Sequence, residues 1–337
     1  MSGARRPGRS PKYRSRYRWR ENLQGYLFAG PWLTGFFLFL LGPMAFSVVL
    51  CMFKWNGITA FQGNATFVGL EHFRTITGED RYFGVALYNT AYYAAISVPL
   101  GICTSLFLAN LLNAKLRGIA FYRTVFYLPN VVAGVATIMI WRWLFNPQFG
   151  GFNIVLDKTG LVAAGRFVID AVPGLRAFVT RNQISWPPLW FSDEFWAKPA
   201  LIIMSLWSAG GGMLIYLAGL QNIPKHLYEV AEIDGAGRVR QFINITLPML
   251  TPTIFFNLIM SIIGSFQVFA QSFLMTGGGP NNATLFYVLY LYRKAFEHFE
   301  MGYASALAWI LFALIMGLTL VVIRSSTLWV YYEGEKQ

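Results

Sequence analysis

Residues 228–248 read YEVAEIDGAGRVRQFINITLP. This polar stretch lies between two apolar runs, each long enough to cross a bilayer. It concentrates Glu229, Glu232, Asp234, Gly235, Gly237, Arg238 and Arg240 in one short segment. Such density in a loop between spans predicts a helix-turn-helix that a cytoplasmic partner grips.

The composition sets the solvent for the rest of the chain. Apolar residues make up 55% and charged residues 12% of 337, and mean hydropathy is +0.47. A soluble domain carries about 25% charged residues. Six runs reach the roughly 20 residues that span a hydrocarbon core, at 26–53, 85–112, 121–145, 199–220, 251–275 and 303–323. They are too long and too uniformly apolar for barrel strands. The fold class expected is therefore all-α, a polytopic membrane protein with six transmembrane helices. The division expected is a basic tail (1–24), a six-helix domain (25–325) and a C-terminal tail (326–337), with a polar loop at 221–250 and an enlarged outward loop at 146–198.

An even number of spans puts both termini on one side. Arg5, Arg6, Arg9, Lys12, Arg14, Arg16, Arg18 and Arg20 precede the first acid, Glu21, which makes that side cytoplasmic. The net charge of +12 then reflects orientation and contact of a disordered tail with anionic membrane lipid, not nucleic-acid binding. The first apolar run is too long for a cleaved signal and reads as an anchor. Cys51 and Cys103 fall in spans and form no CxxC pair. His72, His226 and His298 are scattered. No metal or catalytic cluster is expected, and the chain is not read as an enzyme.

Within the opening stretch, Asn222 and Pro224 start a helix. Leu227, Val230 and Ala231 share one helical face, with Glu229 and Glu232 beside it. Asp234-Gly235 stops the helix, because glycine accepts the left-handed conformation. A second short helix is expected over 238–245, broken at the membrane edge by Leu247-Pro248. A helix resting on anionic lipid should be rich in Lys and Arg. This one is acidic, so a protein partner is the better reading.

Glu229-Val230-Ala231, Gly235, Ile245 and Leu247-Pro248 resemble, at every spacing, the EAA loop of permease subunits of binding-protein-dependent ABC importers; Val230 stands where that pattern usually has Ala. Phe67-Val68-Gly69-Leu70-Glu71-His72-Phe73, Asn89-Thr90, Leu128-Pro129, Phe145-Asn146-Pro147, Gly278-Gly279-Pro280 and Gly302-Tyr303-Ala304 resemble the sugar permeases of the maltose and glycerol-3-phosphate type. The outward loop departs from that pattern by extra length at 163–183. The resemblance implies a type I importer permease fold and import of a sugar or polyol. It implies a second permease, probed from outside by an extracytoplasmic solute-binding protein, in a bacterial or archaeal plasma membrane. The chain has no G-x-x-x-x-G-K-[ST] phosphate loop. It therefore needs no cofactor of its own, and ATP would be bound by two separate ATPase subunits. Leu227, Glu229, Ala231, Asp234 and Gly235 would couple to them.

Polar residues inside spans are the candidates for the solute path. Ser261, Ser265, Gln267 and Gln271 recur along the fifth run, and Ser205, Trp207 and Ser208 precede Gly210-Gly211-Gly212 on the fourth. Hydroxyls and amides suit sugar hydroxyls, and an aromatic ring suits a sugar face. Each could equally serve helix packing, as could Asn89, Asn130 and Asn257. Trp141 and Trp143 read as interface aromatics and Arg142 as a snorkelling anchor, while Leu258 and Ile262 are expected to face lipid. The alternative function is a secondary carrier or channel, which would need coupling acids inside the spans. The topology is checked by reporter fusions. Those at Ala114 and Val239 should report cytoplasm and those at Gly160 and Asn281 the outside; any reversed pair overturns the span assignment.

Overall fold

Long helices arise where five of the six apolar runs predict them, and Asp80 and Asp193 cap the second and fourth spans by accepting from backbone N–H groups of their first turns. The structure is a computed structural model that describes residues 11–58, 61–114, 117–132 and 134–331. Arg5, Arg6, Arg9, Lys115 and residues 332–337 of the C-terminal tail lie outside the described residues.

The first span is α1 (Pro11–Gly35), a π turn (Phe36–Leu41) and α2 (Gly42–Leu50). Half of the basic tail, expected to be disordered, thus continues this helix. A two-residue ribbon follows, β1 (Phe53–Lys54) against β2 (Thr66–Phe67), enclosing the single turn α3 (Phe61–Asn64). Then come α4 (Glu71–Gly78) and the second span, α5 (Arg81–Leu112). The third region holds α6 (Ile119–Tyr127), a 3-10 turn (Leu128–Asn130) and α7 (Gly134–Leu144). The outward loop folds as α8 (Gly151–Lys158), α9 (Leu161–Ala171) and α10 (Pro173–Arg181). The fourth span is α11 (Glu194–Leu206), a 3-10 turn (Trp207–Ala209) and α12 (Gly210–Asn222). The polar loop is α13 (Lys225–Ile233). The fifth span is α14 (Arg238–Gln241), a π turn (Phe242–Thr246) and α15 (Leu247–Phe266). A π turn (Ser272–Thr276), α16 (Tyr287–Tyr292) and a further π turn (Arg293–Glu297) lead into the sixth span, α17 (Met301–Trp329).

Two expected elements differ. The third run is not one straight helix, since its two halves meet at 94°. Pro129 lacks the N–H that would continue the ladder and crowds the preceding turn. The elbow is sealed by Asn130. With its amide turned to satisfy both partners, it donates to the Ser208 carbonyl and accepts from the Gly211 N–H, each at 3.0 Å. The second difference is at Leu247-Pro248. The helix does not break there but runs from Arg238 to Phe266. A π turn widens the ring before Pro248 and relieves its clash with the preceding carbonyl, a recognised role of such bulges. The fifth span therefore starts and ends earlier than 251–275.

The second span is the hub. Asp80 caps α5, accepting from the N–H groups of Tyr82 (2.9 Å) and Phe83 (3.2 Å). Its other oxygen accepts from the hydroxyls of Tyr290 and Tyr303, fastening α5 to α16 and α17. Nine residues on, about two and a half turns, buried Asn89 donates to the carbonyls of Asn282 (2.8 Å) and Leu285 (3.2 Å) and accepts from Lys198 (3.0 Å). Thr90 accepts from the Tyr287 N–H at 2.9 Å. The Asn-Thr pair thus secures the irregular segment before α16 in a region where water cannot. Small residues line the crossings: Ala86, Ala109, Ala197, Ala200 and Ala306 are fully buried, as close helix approach in membranes requires. Large apolar side chains such as Phe28, Phe39 and Phe256 face outward.

Burial would raise the Asp80 pKa, but its hydrogen bonds from Tyr290, Tyr303, Phe83 and Tyr82 outweigh this and hold it below the usual value. A depressed folded-state value adds stability above the unfolded value of about 3.9, lost as pH falls through the folded one. Asp80→Ala should cost at least about 2 kcal/mol, read as a lower Tm of the detergent-solubilised protein. The gap between variant and wild type should close below that pH range. A gap that persists in acid would remove the carboxylate from the account.

Candidate functional site

The polar loop is built as a braced projection. Ile223 ends α12 in extended conformation and Pro224 precedes α13. Leu227 and Tyr228 pack, with Ile245, against a core of Ala109, Leu112, Met213, Leu217, Leu220 and Leu250. The Tyr228 and Thr246 hydroxyls meet at 2.8 Å, joining the loop helix to the fifth span. The helix ends in a Schellman turn: Ala236 N–H donates to the Ala231 carbonyl (2.8 Å) and Gly235 N–H to the Glu232 carbonyl (3.0 Å). Gly235 has φ +75°, and a Cβ there would meet nothing within 4 Å. Conformation rather than space requires glycine at this position. Gln241 closes the turn by donating to the Ala236 carbonyl at 3.0 Å.

The expected single apolar face is split. Leu227 and Ala231 turn inward, and the Ala231 carbonyl anchors the turn. Val230 and Ile233 turn outward, Ile233 with 85% of its surface exposed. Glu229, Glu232, Asp234 and Gly235 are exposed around them, with Arg238, Val239 and Arg240 across the turn. Sequence spacing alone had placed Val230 with Leu227 and omitted Ile233. About 100° per residue puts residues 227, 231 and 228 on one arc and 229, 233 and 230 on the opposite one.

The second feature is a cavity of about 390 Å³ between the second, fourth and fifth spans. Ser208, Ser261, Ser265 and Gln271, singled out from the sequence as candidates for the solute path, border it. So do Tyr93, Ser97, Ser205, Tyr216 and Asn257, among which Ser205 and Asn257 had been singled out. None of the lining residues is charged. Tyr93 and Ser97 of the second span are both buried along this wall. The Tyr216 hydroxyl is buried with no hydrogen-bond partner. Nothing in the sequence pattern marked Tyr216; it became visible only when α12 met α5.

Two candidates do not belong to this wall. Gln267 follows the last turn of α15, where its N–H closes a short bond to Gly264 (3.2 Å). It opens onto an apolar groove with Leu291, Leu311 and Phe312. The helical spacing linking it to Ser261 fails because the helix has ended. Trp207 begins the 3-10 turn and packs edge-on against Trp141 at 5.1 Å. Trp141 is itself buried, stacked on Phe145 at 5.2 Å, and is not an interface aromatic; Trp143 is exposed. Ile262, expected to face lipid, packs on the core of the second and sixth spans. Among the described residues no three of His, Cys, Asp and Glu are placed to hold a metal.

These features define a polytopic helical membrane protein with a neutral polar cavity and a rigid projecting helix at one end. The chain belongs to the family of binding-protein-dependent transport system inner membrane components, whose model matches residues 97–331. It is therefore a transport component rather than an enzyme. It is 38% identical over 322 residues to the probable ABC transporter permease protein YesP of Bacillus subtilis (strain 168), covering 94% of this chain and 95% of that one. It is 31% identical over 301 residues to the sn-glycerol-3-phosphate transport system permease protein UgpA of Yersinia pestis, covering 89% and 92%. Its fold matches a chain of a bacterial ABC transporter that imports the acidic polysaccharide alginate, with TM-score 0.73, 22% identity and coverage of 92% and 98%.

The cavity predicts a graded mutational series. Ser261→Leu and Asn257→Leu should each weaken apparent uptake affinity about fivefold, the equivalent of one net hydrogen bond of about 1 kcal/mol. Gln267→Leu and Met260→Leu should change it little. Uptake of a panel of labelled small polar solutes, at matched membrane levels of each variant, checks the ordering. Equal effects at all four positions would show that this cavity does not hold the solute.

Proposed function

We propose that this chain is one of two membrane-spanning subunits of an ATP-driven importer for a carbohydrate or related polyol. A second permease completes the path, an extracytoplasmic solute-binding protein delivers the solute, and two separate ATP-binding subunits supply the energy. The chain itself binds no nucleotide in this reading, and both termini face the cytoplasm. The name of the Yersinia relative, with its phosphorylated polyol, supports the solute class. The lining of serine hydroxyls, tyrosines and two amides supports it chemically, since such groups match the donor and acceptor pattern of sugar hydroxyls.

One observation carries the coupling. The loop helix is not tethered flexibly but fastened to the helices that wall the cavity. Leu227 packs on α12, which bears Gly212 and Tyr216. Tyr228 bonds Thr246, on the same continuous helix as Asn257, Ser261 and Ser265. A displacement imposed on α13 by a closing ATPase dimer is therefore passed to both walls. This is the rigid-body rocking that alternates access in such machines. Glu229, Glu232 and Asp234 would meet basic groups of the ATPase, and Val230 and Ile233 would fill an apolar cleft.

Glu229→Lys should reverse the leading charge of the docking surface. Gly235→Val should strain the turn by about 1–2 kcal/mol and misdirect the tip. Both should reduce uptake at least about tenfold, a loss of about 1.4 kcal/mol in coupling, while the chain remains in the membrane. Uptake rate and co-purification of the ATP-binding subunits are the readouts. Wild-type uptake by both variants would refute this docking surface.

A further inference from the structure

The helices α8 to α10 play no part in the coupling or the cavity. α9 is held to the protein along one side. The Trp186 indole donates to the Val162 carbonyl at 2.9 Å, and Gly165 lies flat on the same indole, where a Cβ would come within 2.3 Å of the ring. Trp186 packs on Trp196 at 6.0 Å, and Trp196 on Trp190 at 5.8 Å, beside the start of the fourth span. The rest of α9 points away from the protein. At about 100° per residue, Leu161, Ala164, Phe167, Val168, Ala171 and the following Val172 form one apolar arc around roughly half the helix. Phe167 is 74% exposed. Phe178 of α10 is exposed as well. Arg166 and Asp170 are the only polar side chains on α9. Residues 161–181 carry Arg166, Arg176 and Arg181 against Asp170, a net charge of +2 (three minus one). Arg176 lies 4.0 Å from Asp170.

We propose that α9 and α10 lie in the surface of the bilayer, with the apolar arc at the acyl boundary and the arginines at the phosphate level. Continuity argues for lipid as the occupant. The segment leaves the membrane at the end of α7 and returns to it at α11, and it is fastened to tryptophans beside that point of return. Tryptophans gather at the membrane–water level. Charge agrees, because an amphipathic interfacial helix places Lys and Arg on its polar side and Phe and Leu on the other. The chemistry of the arc also agrees. A protein partner that comes and goes meets hydrogen-bonding groups at the rim of its site, whereas this half of the helix offers no side-chain donor or acceptor. The anchor would fix the outward loop at a set depth, independently of any solute.

The test places single cysteines in the full chain, in a background lacking Cys51 and Cys103. Phe167→Cys, Val168→Cys and, on the polar edge, Asp170→Cys are labelled with an environment-sensitive fluorophore. The protein is reconstituted in vesicles of phosphatidylethanolamine and phosphatidylglycerol. Labels at 167 and 168 should be quenched several-fold more by nitroxide-bearing lipid than by aqueous iodide, and the label at 170 should show the opposite preference. Val172→Cys supplies a third position on the arc if either of the first two fails to express. Iodide quenching at 167 and 168 equal to that at 170 would show the arc open to water and overturn the proposal. Protection from both quenchers would show it covered by protein and overturn it equally.

Discussion

In hydrocarbon no water satisfies a freed backbone group, so every departure from a regular helix must be repaired by the protein itself. This chain departs repeatedly, and the repairs hold its spans together. The elbow after Pro129 and the 3-10 turn at Trp207–Ala209 meet through Asn130, and Ser105 of the second span donates to the Ala209 carbonyl at 2.8 Å. The segment between α15 and α16 is repaired by Asn89 and Thr90 from α5, and internally by the Thr276–Thr284 hydroxyl pair at 2.6 Å. Arg123 reaches back to the Leu112 carbonyl at 2.9 Å, one of the orphan acceptors at the end of α5. The repairs by Asn130, Ser105, Asn89, Thr90 and Arg123 cross between helices, so the irregularities they satisfy are also welds.

The cavity is a by-product of the same arrangement. Where the fourth span tightens into a 3-10 turn, Ser205, Ser208 and Gly212 come to one wall. Where the fifth span stays regular, Asn257, Ser261 and Ser265 keep a common face. The second span lies between them with Tyr93 and Ser97. Because α12 and the fifth span also carry the brace beneath α13, the cavity walls and the projecting helix are parts of one body.

Much was legible beforehand. Five of the six apolar runs gave helices long enough to cross a membrane and the third gave a bent pair, while Asp234-Gly235 gave the stop of α13, because span length and the left-handed preference of glycine are local properties. Asn89-Thr90 and Gly278-Gly279-Pro280 were noticed as a pattern, but their joining was not legible, since the bond from Asn89 to Asn282 crosses almost the whole domain. The straight third helix and the break at Pro248 were misjudged for one reason. Proline removes a hydrogen bond wherever it stands, but whether the chain bends or widens depends on what neighbouring helices offer the freed carbonyl.

The sequence by itself determined which stretches are apolar and long enough to cross a bilayer, how charges flank them, and that an acidic helix ends in a glycine turn between two of them. Those follow from the length, charge and conformational limits of single segments. Tertiary structure alone decided that Tyr216 and Ser97 share a cavity with Ser261 while Gln267 and Trp207 do not, and that Leu227 is a brace while Ile233 is exposed. A transmembrane helix apolar around most of its circumference carries no period that names its inner face. Only packing against its neighbours settles which side is buried.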